Sequence, residues 1–135
     1  VGFVYQNFNL VSTLTVKENI LFPLSLAGST PDPAFFDEIV ELLHLKDRLN
    51  AYPGELSGGG QQRVAIARAL IAKPSILLAD EPTGNLDSKT GQNVLGLLKL
   101  SVETYRQTLV MITHNLELAQ MADRVVRIED GRIRG

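Results

Sequence analysis

The stretch from Leu56 to Asp87, LSGGGQQRVAIARALIAKPSILLADEPTGNLD, constrains both fold and chemistry more than any other part of the sequence. It places a helix start made of Ser57 and three glycines shortly before an apolar strand that ends in Asp80 and Glu81. Glycines at a helix N-terminus leave backbone N–H groups unshielded where the helix dipole carries roughly half a positive charge, which favours phosphate. Carboxylates at a strand exit supply a metal ligand and a candidate base. The stretch therefore predicts a phosphate-and-metal site.

The hydrophobic periodicity predicts strands and helices that alternate along one folded unit. The predicted elements are a strand from Val1 to Tyr5, a helix from Thr15 that bends or ends near Pro23, a helix from Asp32-Pro33 to about Leu45, a helix over 61–72, buried strands over 75–79 and 108–112, a helix over 88–105, a short helix over 115–122 and a hairpin turn at Asp130-Gly131. Strands joined by helices in this way lie parallel in a sheet covered on both faces, and ligands usually bind at their carboxyl ends. The sequence therefore predicts an α/β fold.

Composition narrows the functional classes. Thirteen basic and fifteen acidic residues give a net charge of −2 without a basic run, so nucleic acid is not expected as a partner. No cysteine is present for a disulfide framework or a thiolate site. The longest apolar stretches, such as Ile76 to Ala79, are far shorter than the roughly 20 residues of a membrane-spanning helix.

The three glycines after Ser57 have two interpretations. Each glycine in a helical turn costs about 0.5–1 kcal/mol relative to alanine, so three in a row need a compensating reason, and the close approach of an anion supplies one. Alternatively, Ser57 only caps the helix and the glycines form a tight loop after Pro53-Gly54. The Gln-Gln-Arg that follows and the carboxylates downstream favour the anion.

The Asp80-Glu81 pair could likewise be a solvated turn, since Pro82-Thr83-Gly84 is typical turn sequence. However, adjacent strand residues point in opposite directions, so one carboxylate can face a phosphate-bound Mg²⁺ and the other an attacking water. A positioned general base contributes about 10²–10⁴ in rate, so loss of Glu81 should be severe in a complete site.

Two further polar residues are expected at the same sheet edge. His114 follows the strand over 108–113, which places its imidazole near Asp80, where it could donate a hydrogen bond to a γ-phosphate. Gln6 stands at the exit of the first strand and by itself would be an ordinary loop residue. His44 lies in an amphipathic helix away from every motif and is interpreted as structural.

The order of these motifs resembles that of ATP-binding-cassette (ABC) ATPases over the whole chain. Gln6 matches the Q-loop glutamine and His114 the switch histidine, and the remaining matches are Leu56 to Gln61 with the signature, Ile76 to Glu81 with Walker B, and Asn85-Leu86-Asp87 with the D-loop. The resemblance implies a P-loop NTPase (RecA-like) parallel sheet with an ABC α-helical subdomain, and ATP and Mg²⁺ as ligands. It implies that Gln6 and Asp80 contact the metal and the water that attacks the phosphate, and that Glu81 is the general base.

The resemblance also implies partners. Family members work as head-to-tail dimers, so Ser57, Gly58, Gly59, Gly60 and Gln61 would contact ATP held by a second ATPase subunit, and Asp87 would cross to that subunit. Residues of about 7–72 would form the helical and signature subdomain that docks on an integral membrane permease at the cytoplasmic face, and residues 1–6 and 73–135 the rest of the α/β core. The segments FVYQNFNLVSTLTVKENI and DEPTGNLDS resemble the corresponding sequences of the ABC branch that serves lipoprotein release, macrolide export and antimicrobial-peptide export.

The sequence departs from the family pattern in two places. Gly60 stands where the family usually has Gln or another polar residue, which removes a side-chain contact. No G-x-x-x-x-G-K-[ST] occurs, because the candidate over 54–59 is followed by Gly60 in place of Lys. We therefore expect these residues to be the carboxy-terminal portion of an ABC ATPase domain, inactive without a P-loop, with an exposed gap in its sheet.

Two alternatives remain open beside the transporter ATPase. A non-transport ABC ATPase acting on DNA or ribosomes would share the motifs, but chromosome and repair relatives insert a long coiled coil between Q-loop and signature, and the segment between Gln6 and Ser57 is short here. The other alternative is that these residues form a non-catalytic dimerisation or docking module.

Overall fold

The computed structural model describes residues 1–134, and their elements alternate between strand and helix as predicted. In chain order they are β1 Gly2–Tyr5, α1 Val16–Leu26, α2 Pro33–Leu42, short 3-10 turns at Lys46–Arg48 and Pro53–Glu55, α3 Gly58–Ile71, β2 Ile76–Asp80, α4 Ser88–Thr104, β3 Thr108–Ile112, α5 Leu116–Ala119, β4 Arg127–Glu129 and β5 Arg132–Arg134.

Polar side chains at the N-caps fix where the helices begin. The Thr15 hydroxyl accepts the Glu18 N–H while the Glu18 carboxylate accepts the Thr15 N–H, which is the capping box predicted for α1. Asp32 caps α2 ahead of Pro33, and Ser57 and Asp87 cap α3 and α4. Each cap satisfies N–H groups that have no partner within the helix, so these boundaries follow from local sequence.

The helix predicted to bend or end near Pro23 ends at Leu26, and the helix predicted to reach about Leu45 ends earlier. The first continues through Pro23 to Leu26, although proline lacks an N–H and costs about 3 kcal/mol in a helix interior. Ile20 and Leu24, on either side of Pro23, both pack on the core, so tertiary burial keeps α1 helical. The second ends at Leu42, before the predicted Leu45, because His44 takes a left-handed backbone conformation (φ 58°).

The first three strands form a parallel sheet in the order β1-β2-β3. Tyr5 pairs in register with Asp80, and Asp80 with Ile112, so the three strands finish at the same edge. The β2-α4-β3 unit is the predicted crossover. Because both crossovers step along the sheet in the same direction and such connections are right-handed, their helices fall on the same face.

Only one face of this sheet is covered within residues 1–134, so the prediction of strands buried on both faces is wrong for this part of the chain. Val4, Leu77 and Ala79 are buried beneath the helices. On the opposite face Phe3 and Ile112 are 46% and 56% exposed. The three strands are contiguous, and the outer edges of β1 and β3 both lack a neighbouring strand among the described residues.

The last two strands form the predicted hairpin. Arg127 to Glu129 pairs antiparallel with Arg132 to Arg134, and Asp130 and Gly131 between them both have positive φ, at 52° and 74°. Two left-handed residues make the type I′ turn that suits the twist of paired strands. In the part of the chain that the structure describes, no helix is long and apolar enough to cross a membrane.

Candidate functional site

The shared edge of the three parallel strands brings the predicted site residues together. Gln6 follows Tyr5 at the end of β1, Glu81 follows Asp80 at the end of β2, and His114 lies two residues beyond Ile112 at the end of β3. Since β2 is the central strand, Asp80 and Glu81 at its end lie between the residues that follow β1 and β3. Parallel pairing in this register therefore assembles the four polar side chains at one edge.

Asp80 has a carboxylate that is available for a ligand. It lies on the exposed face of the sheet in the row of Tyr5 and Ile112, and within residues 1–134 its carboxylate has no hydrogen bond or ion pair. No group of three or more His, Cys, Asp or Glu side chains in the described residues could hold a metal ion by itself. An oxygen ligand of this kind suits Mg²⁺, which usually takes one or two carboxylates with phosphate oxygens and water.

Glu81 is turned toward His114. Its Oε1 accepts a hydrogen bond from the His114 backbone N–H at 2.8 Å and lies 3.5 Å from His114 Nε2. The His114 side chain is 98% exposed and that of Glu81 22%, so the imidazole faces solvent above a largely covered carboxylate. The 3.5 Å between the two side chains is longer than the roughly 2.6–3.2 Å of direct proton transfer, so the fixed contact between these residues is the backbone hydrogen bond.

The backbone of Glu81 differs from the prediction. The strand ends at Asp80, and Glu81 has a left-handed conformation with φ 46° while its N–H bonds to the Ile112 carbonyl at 2.8 Å. The alternation of strand side chains therefore does not set the direction of Glu81. Such a conformation is uncommon for a non-glycine residue and is found most often where function or tight turns demand it.

Gln6 contacts the turn that follows β2. Its Nε2 donates to Asn85 Oδ1 at 3.2 Å, and Asn85 Nδ2 donates in return to the Gln6 carbonyl at 3.1 Å and to Asn7 Oδ1 at 2.9 Å. Gly84 lies directly against the Gln6 amide, since a Cβ at that position would come within 2.7 Å of Nε2. The Gln6 amide oxygen remains available as a ligand.

At the start of α3, Ser57 caps the helix by accepting the Gly60 N–H at 3.1 Å. Gln61 folds back and donates to the Leu56 carbonyl at 3.3 Å. With the Gly60 N–H occupied, the N–H groups of Gly58 and Gly59 are the ones left to face an anion. Both interpretations of Ser57 are therefore compatible, because the hydroxyl accepts within the chain and can still donate its own proton.

The glycines also have a packing reason that sequence analysis missed. A Cβ on Gly59 would lie 2.5 Å from Thr90 Cγ2 on α4, and one on Gly58 would lie 3.0 Å from Leu86 Cδ2. The nearest contact of a Cβ on Gly60 would be looser, 3.3 Å from Leu56 Cβ. Anion approach is thus not the only reason for glycine here, because a side chain at Gly59 would overlap Thr90, while one at Gly58 would need a small movement of Leu86.

Asp87 uses its carboxylate within the chain. It caps α4 and accepts the Thr90 N–H at 3.2 Å. Hydrogen bonds from the Thr90 hydroxyl and backbone hold the pKa of Asp87 below its ordinary value. Of the three predicted D-loop residues, Asn85 and Leu86 contact the Gln6 and signature regions, and Asp87 fixes the start of the next helix.

Two residues of α3 that sequence analysis did not single out contact the backbone at the ends of β1 and β2 or in the segments that follow them. Gln62 is fully buried and donates from Nε2 to the Tyr5 carbonyl at 2.9 Å and to the Pro82 carbonyl. Arg68 donates to the Phe8 carbonyl at 2.9 Å and the Asn9 carbonyl at 2.7 Å. Gln62 could have been found from the sequence, because it is a polar residue on the same face of the helix as Ile66 and Ala69.

Comparisons with known proteins find relatives over almost the whole chain. The family model described as ABC transporter matches residues 1–84. An uncharacterized ABC transporter ATP-binding protein of Thermotoga maritima is 49% identical over the whole chain, which spans 58% of that relative. The macrolide export ATP-binding/permease protein MacB of Syntrophobacter fumaroxidans is 47% identical over 98% of the chain and 19% of its own length. The bacitracin export ATP-binding protein BceA of Halalkalibacterium halodurans is 46% identical over 98% of the chain and 53% of its own length.

A solved structure shares the fold. The dimeric structure of MJ0796, a bacterial ABC transporter cassette, superposes with a TM-score of 0.82 at 41% identity and covers all of this chain and 61% of its own. The same cassette in a post-hydrolysis state bound to ADP and Pi gives a TM-score of 0.80, also at 41% identity, and covers 99% of this chain and 60% of its own. The parallel sheet and its helices are therefore part of a mixed α/β P-loop NTPase fold, as predicted.

Proposed function

Because the chain belongs to the ABC transporter family, we propose that it contributes to the ATP-binding and ATP-hydrolysing subunit of an ABC exporter, which drives transport through a membrane permease. The observation that carries this proposal is the convergence of Gln6, Asp80, Glu81 and His114 at one sheet edge, with Glu81 Oε1 3.5 Å from His114 Nε2. The export-type names of MacB and BceA support the direction of transport.

Each residue at the edge has a role in the proposed reaction. Asp80 and the Gln6 amide oxygen would hold Mg²⁺, which supplies charge neutralisation on the phosphates when bound. Glu81 would accept a proton from the attacking water, and its contact with the His114 N–H keeps the carboxylate fixed. The exposed imidazole of His114 would donate to the γ-phosphate as its oxygens gain charge.

The direct test is hydrolysis of Mg-ATP by the full-length protein. Glu81→Gln should lower turnover by about 10²-fold or more while nucleotide still binds, because the amide keeps the shape and loses the base. The matched control is Glu103→Gln, an exposed glutamate on α4, which should leave turnover unchanged. Unaffected turnover in Glu81→Gln would defeat the assignment.

We further propose that nucleotide is held between two subunits in a head-to-tail dimer. The free N–H groups of Gly58 and Gly59, with Ser57, Gly60 and Gln61, would meet the ATP of the second subunit, and Asn85, Leu86 and Asp87 would lie at the same interface. The dimeric MJ0796 cassette supports this arrangement. Trapping with Glu81→Gln and ATP should shift the full-length protein from monomer to dimer in sedimentation, and a monomer under saturating ATP would contradict it.

The phosphates need a cradle that no motif in these 135 residues supplies. We propose that residues 1–135 alone do not turn over ATP and that activity needs a P-loop. Phosphate release from Mg-ATP by the 135-residue chain tests this, and a titration that gave sub-millimolar affinity would contradict the lack of a primary nucleotide site.

Residues of about 7–72 are proposed as the subdomain that docks on the permease at the cytoplasmic face. Leu26 is 74% exposed at the end of α1, beside a shallow groove whose lining includes Lys17, Leu21 and Phe22. Leu26→Glu should release the full-length protein from membranes without loss of hydrolysis, whereas Leu100→Glu, a comparably apolar exposed site on α4, should not. Co-purification with nucleic acid in place of a permease would favour the non-transport alternative.

A further inference from the structure

Gln62 joins two parts of the site through the core. Its single amide nitrogen donates to the carbonyl of Tyr5, immediately before Gln6, and to the carbonyl of Pro82, immediately after Glu81. Its Oε1 is buried without a hydrogen-bond partner. Turning the amide over would not repair this, because two carbonyl oxygens would then face Oε1. A buried acceptor left unpaired costs stability, so the two donated bonds are what this glutamine provides.

Arg68 holds the other side of the Gln6 loop, defined here as residues 6–9. It lies six positions beyond Gln62 on α3, about 9 Å along the helix axis. Its guanidinium donates to the carbonyls of Phe8 and Asn9, whose φ values of 64° and 54° are both left-handed. Neither residue is a glycine, so this backbone is costly unless it is held. A planar fork that meets two successive carbonyls supplies that restraint.

These contacts enclose the Gln6 loop between two fixed points. Gln62 fixes residue 5 and Arg68 fixes residues 8 and 9, so that only Gln6 and Asn7 project from the held backbone, where both meet Asn85. Both anchors belong to the helix that begins at Ser57 and the glycines. The start of α3 and the Asp80-Glu81 edge are therefore connected by one rigid element.

We propose that Gln62 and Arg68 are positioning residues that set the Gln6 side chain, and through the Pro82 carbonyl the turn after Glu81, in a fixed relation to the start of α3. Any shift of the start of α3 then moves the metal-side ligands with it. The effect on Mg²⁺ rests on the proposed function, whereas the restraint of the loop does not.

The restraint is measured by amide hydrogen exchange in the full-length protein without nucleotide. Arg68→Met and Gln62→Met keep side-chain volume and remove the donors, and each should speed exchange at Phe8 and Asn9 about tenfold or more. Arg68→Lys retains the charge without the fork and should lie between wild type and Arg68→Met. The control is Leu98→Ala on α4, which removes buried volume and lowers Tm but touches neither anchor.

The second readout is the Mg²⁺ concentration that half-saturates hydrolysis. We expect it to rise about tenfold in both methionine variants with KM for ATP little changed, and to stay at the wild-type value in Leu98→Ala. Loop exchange no faster than in Leu98→Ala overturns the positioning role, and so does an unchanged Mg²⁺ requirement in an active enzyme. A wild-type protein without ATPase activity overturns the proposed function instead, and exchange alone then decides the restraint.

Discussion

The start of α3 and the carboxyl end of β2 use their residues in different ways. At the start of α3, Ser57 caps the helix, Gly59 packs against Thr90 and Gly58 against Leu86, so each residue has a contact inside the chain. At the end of β2, the carboxylate of Asp80 has no partner among residues 1–134. The first region is needed for the fold whether or not a ligand binds there. The second contains a charged side chain that no contact in the described structure explains.

This difference separates stability from activity. Substitutions at the end of β2 should remove activity and leave stability intact, whereas substitutions among the glycines should alter stability first. Substitutions of Asp80, Gly59 and Gly60 test that separation, and a substitution of Asp87 tests acid stability at the cap of α4.

Asp80→Asn in the full-length protein should lower ATP hydrolysis by about 10²-fold or more, because a metal-side carboxylate loses its charge. Its Tm should not change, since the native carboxylate is exposed and unpaired within the described residues. Asp37→Asn on α2 is the exposed control and should change neither quantity. A clear fall in Tm for Asp80→Asn would show that this edge also contributes to stability.

Gly59→Ala should destabilise the fold by about 1–3 kcal/mol in urea unfolding, because its Cβ would lie 2.5 Å from Thr90 Cγ2. Gly96→Ala, in open space on α4, should instead gain about 0.5–1 kcal/mol. Adding Thr90→Ser to Gly59→Ala removes the opposing methyl group and should restore part of the loss. If Gly59→Ala left the free energy of unfolding unchanged, the approach of an anion would be the remaining reason for a glycine at that position.

Gly60→Ala should change stability by less than about 1 kcal/mol, since the gain in helix propensity is set against a 3.3 Å contact with Leu56 Cβ that needs only a small adjustment. The same unfolding series measures it. A loss as large as that of Gly59→Ala would mean that all three glycines are required by packing.

The smallest effect concerns acid stability. Hydrogen bonds from Thr90 hold the pKa of Asp87 below its ordinary value, so its stabilising contribution is present above the unfolded-state pKa and is lost as pH falls through the folded-state pKa. Asp87→Asn can cap α4 at every pH, and its stability should therefore fall less than that of wild type between about pH 5 and about pH 3. Urea midpoints across this range measure the slope, and equal slopes would contradict the linkage.

Local sequence was sufficient for most of the fold. The capping box at Thr15, the cap at Asp32 and the turn at Asp130-Gly131 all form as predicted, because each rests on hydrogen bonds or φ values available to neighbouring residues. The resemblance to ABC ATPases, inferred from ordered motifs, is confirmed by the family match and by the named export relatives. The roles of Gln6, Asp80, Glu81 and His114 stay predictions.

The errors arose where distant residues decide the outcome. The sheet is covered on one face because successive right-handed crossovers put their helices on the same side. Glu81 leaves strand geometry at φ 46° although its N–H still bonds to the Ile112 carbonyl, and its carboxylate accepts the N–H of His114, a residue 33 positions away.

The sequence by itself determined the α/β pattern, the helix starts and the set of polar residues at strand exits, since these depend on periodicity and on contacts within a few residues. Only the tertiary structure decided that Gln62 and Arg68 hold the Gln6 loop and that Thr90 excludes a side chain at Gly59. These contacts join residues far apart in the chain, and no local preference encodes which carbonyl or methyl group a folded helix will meet.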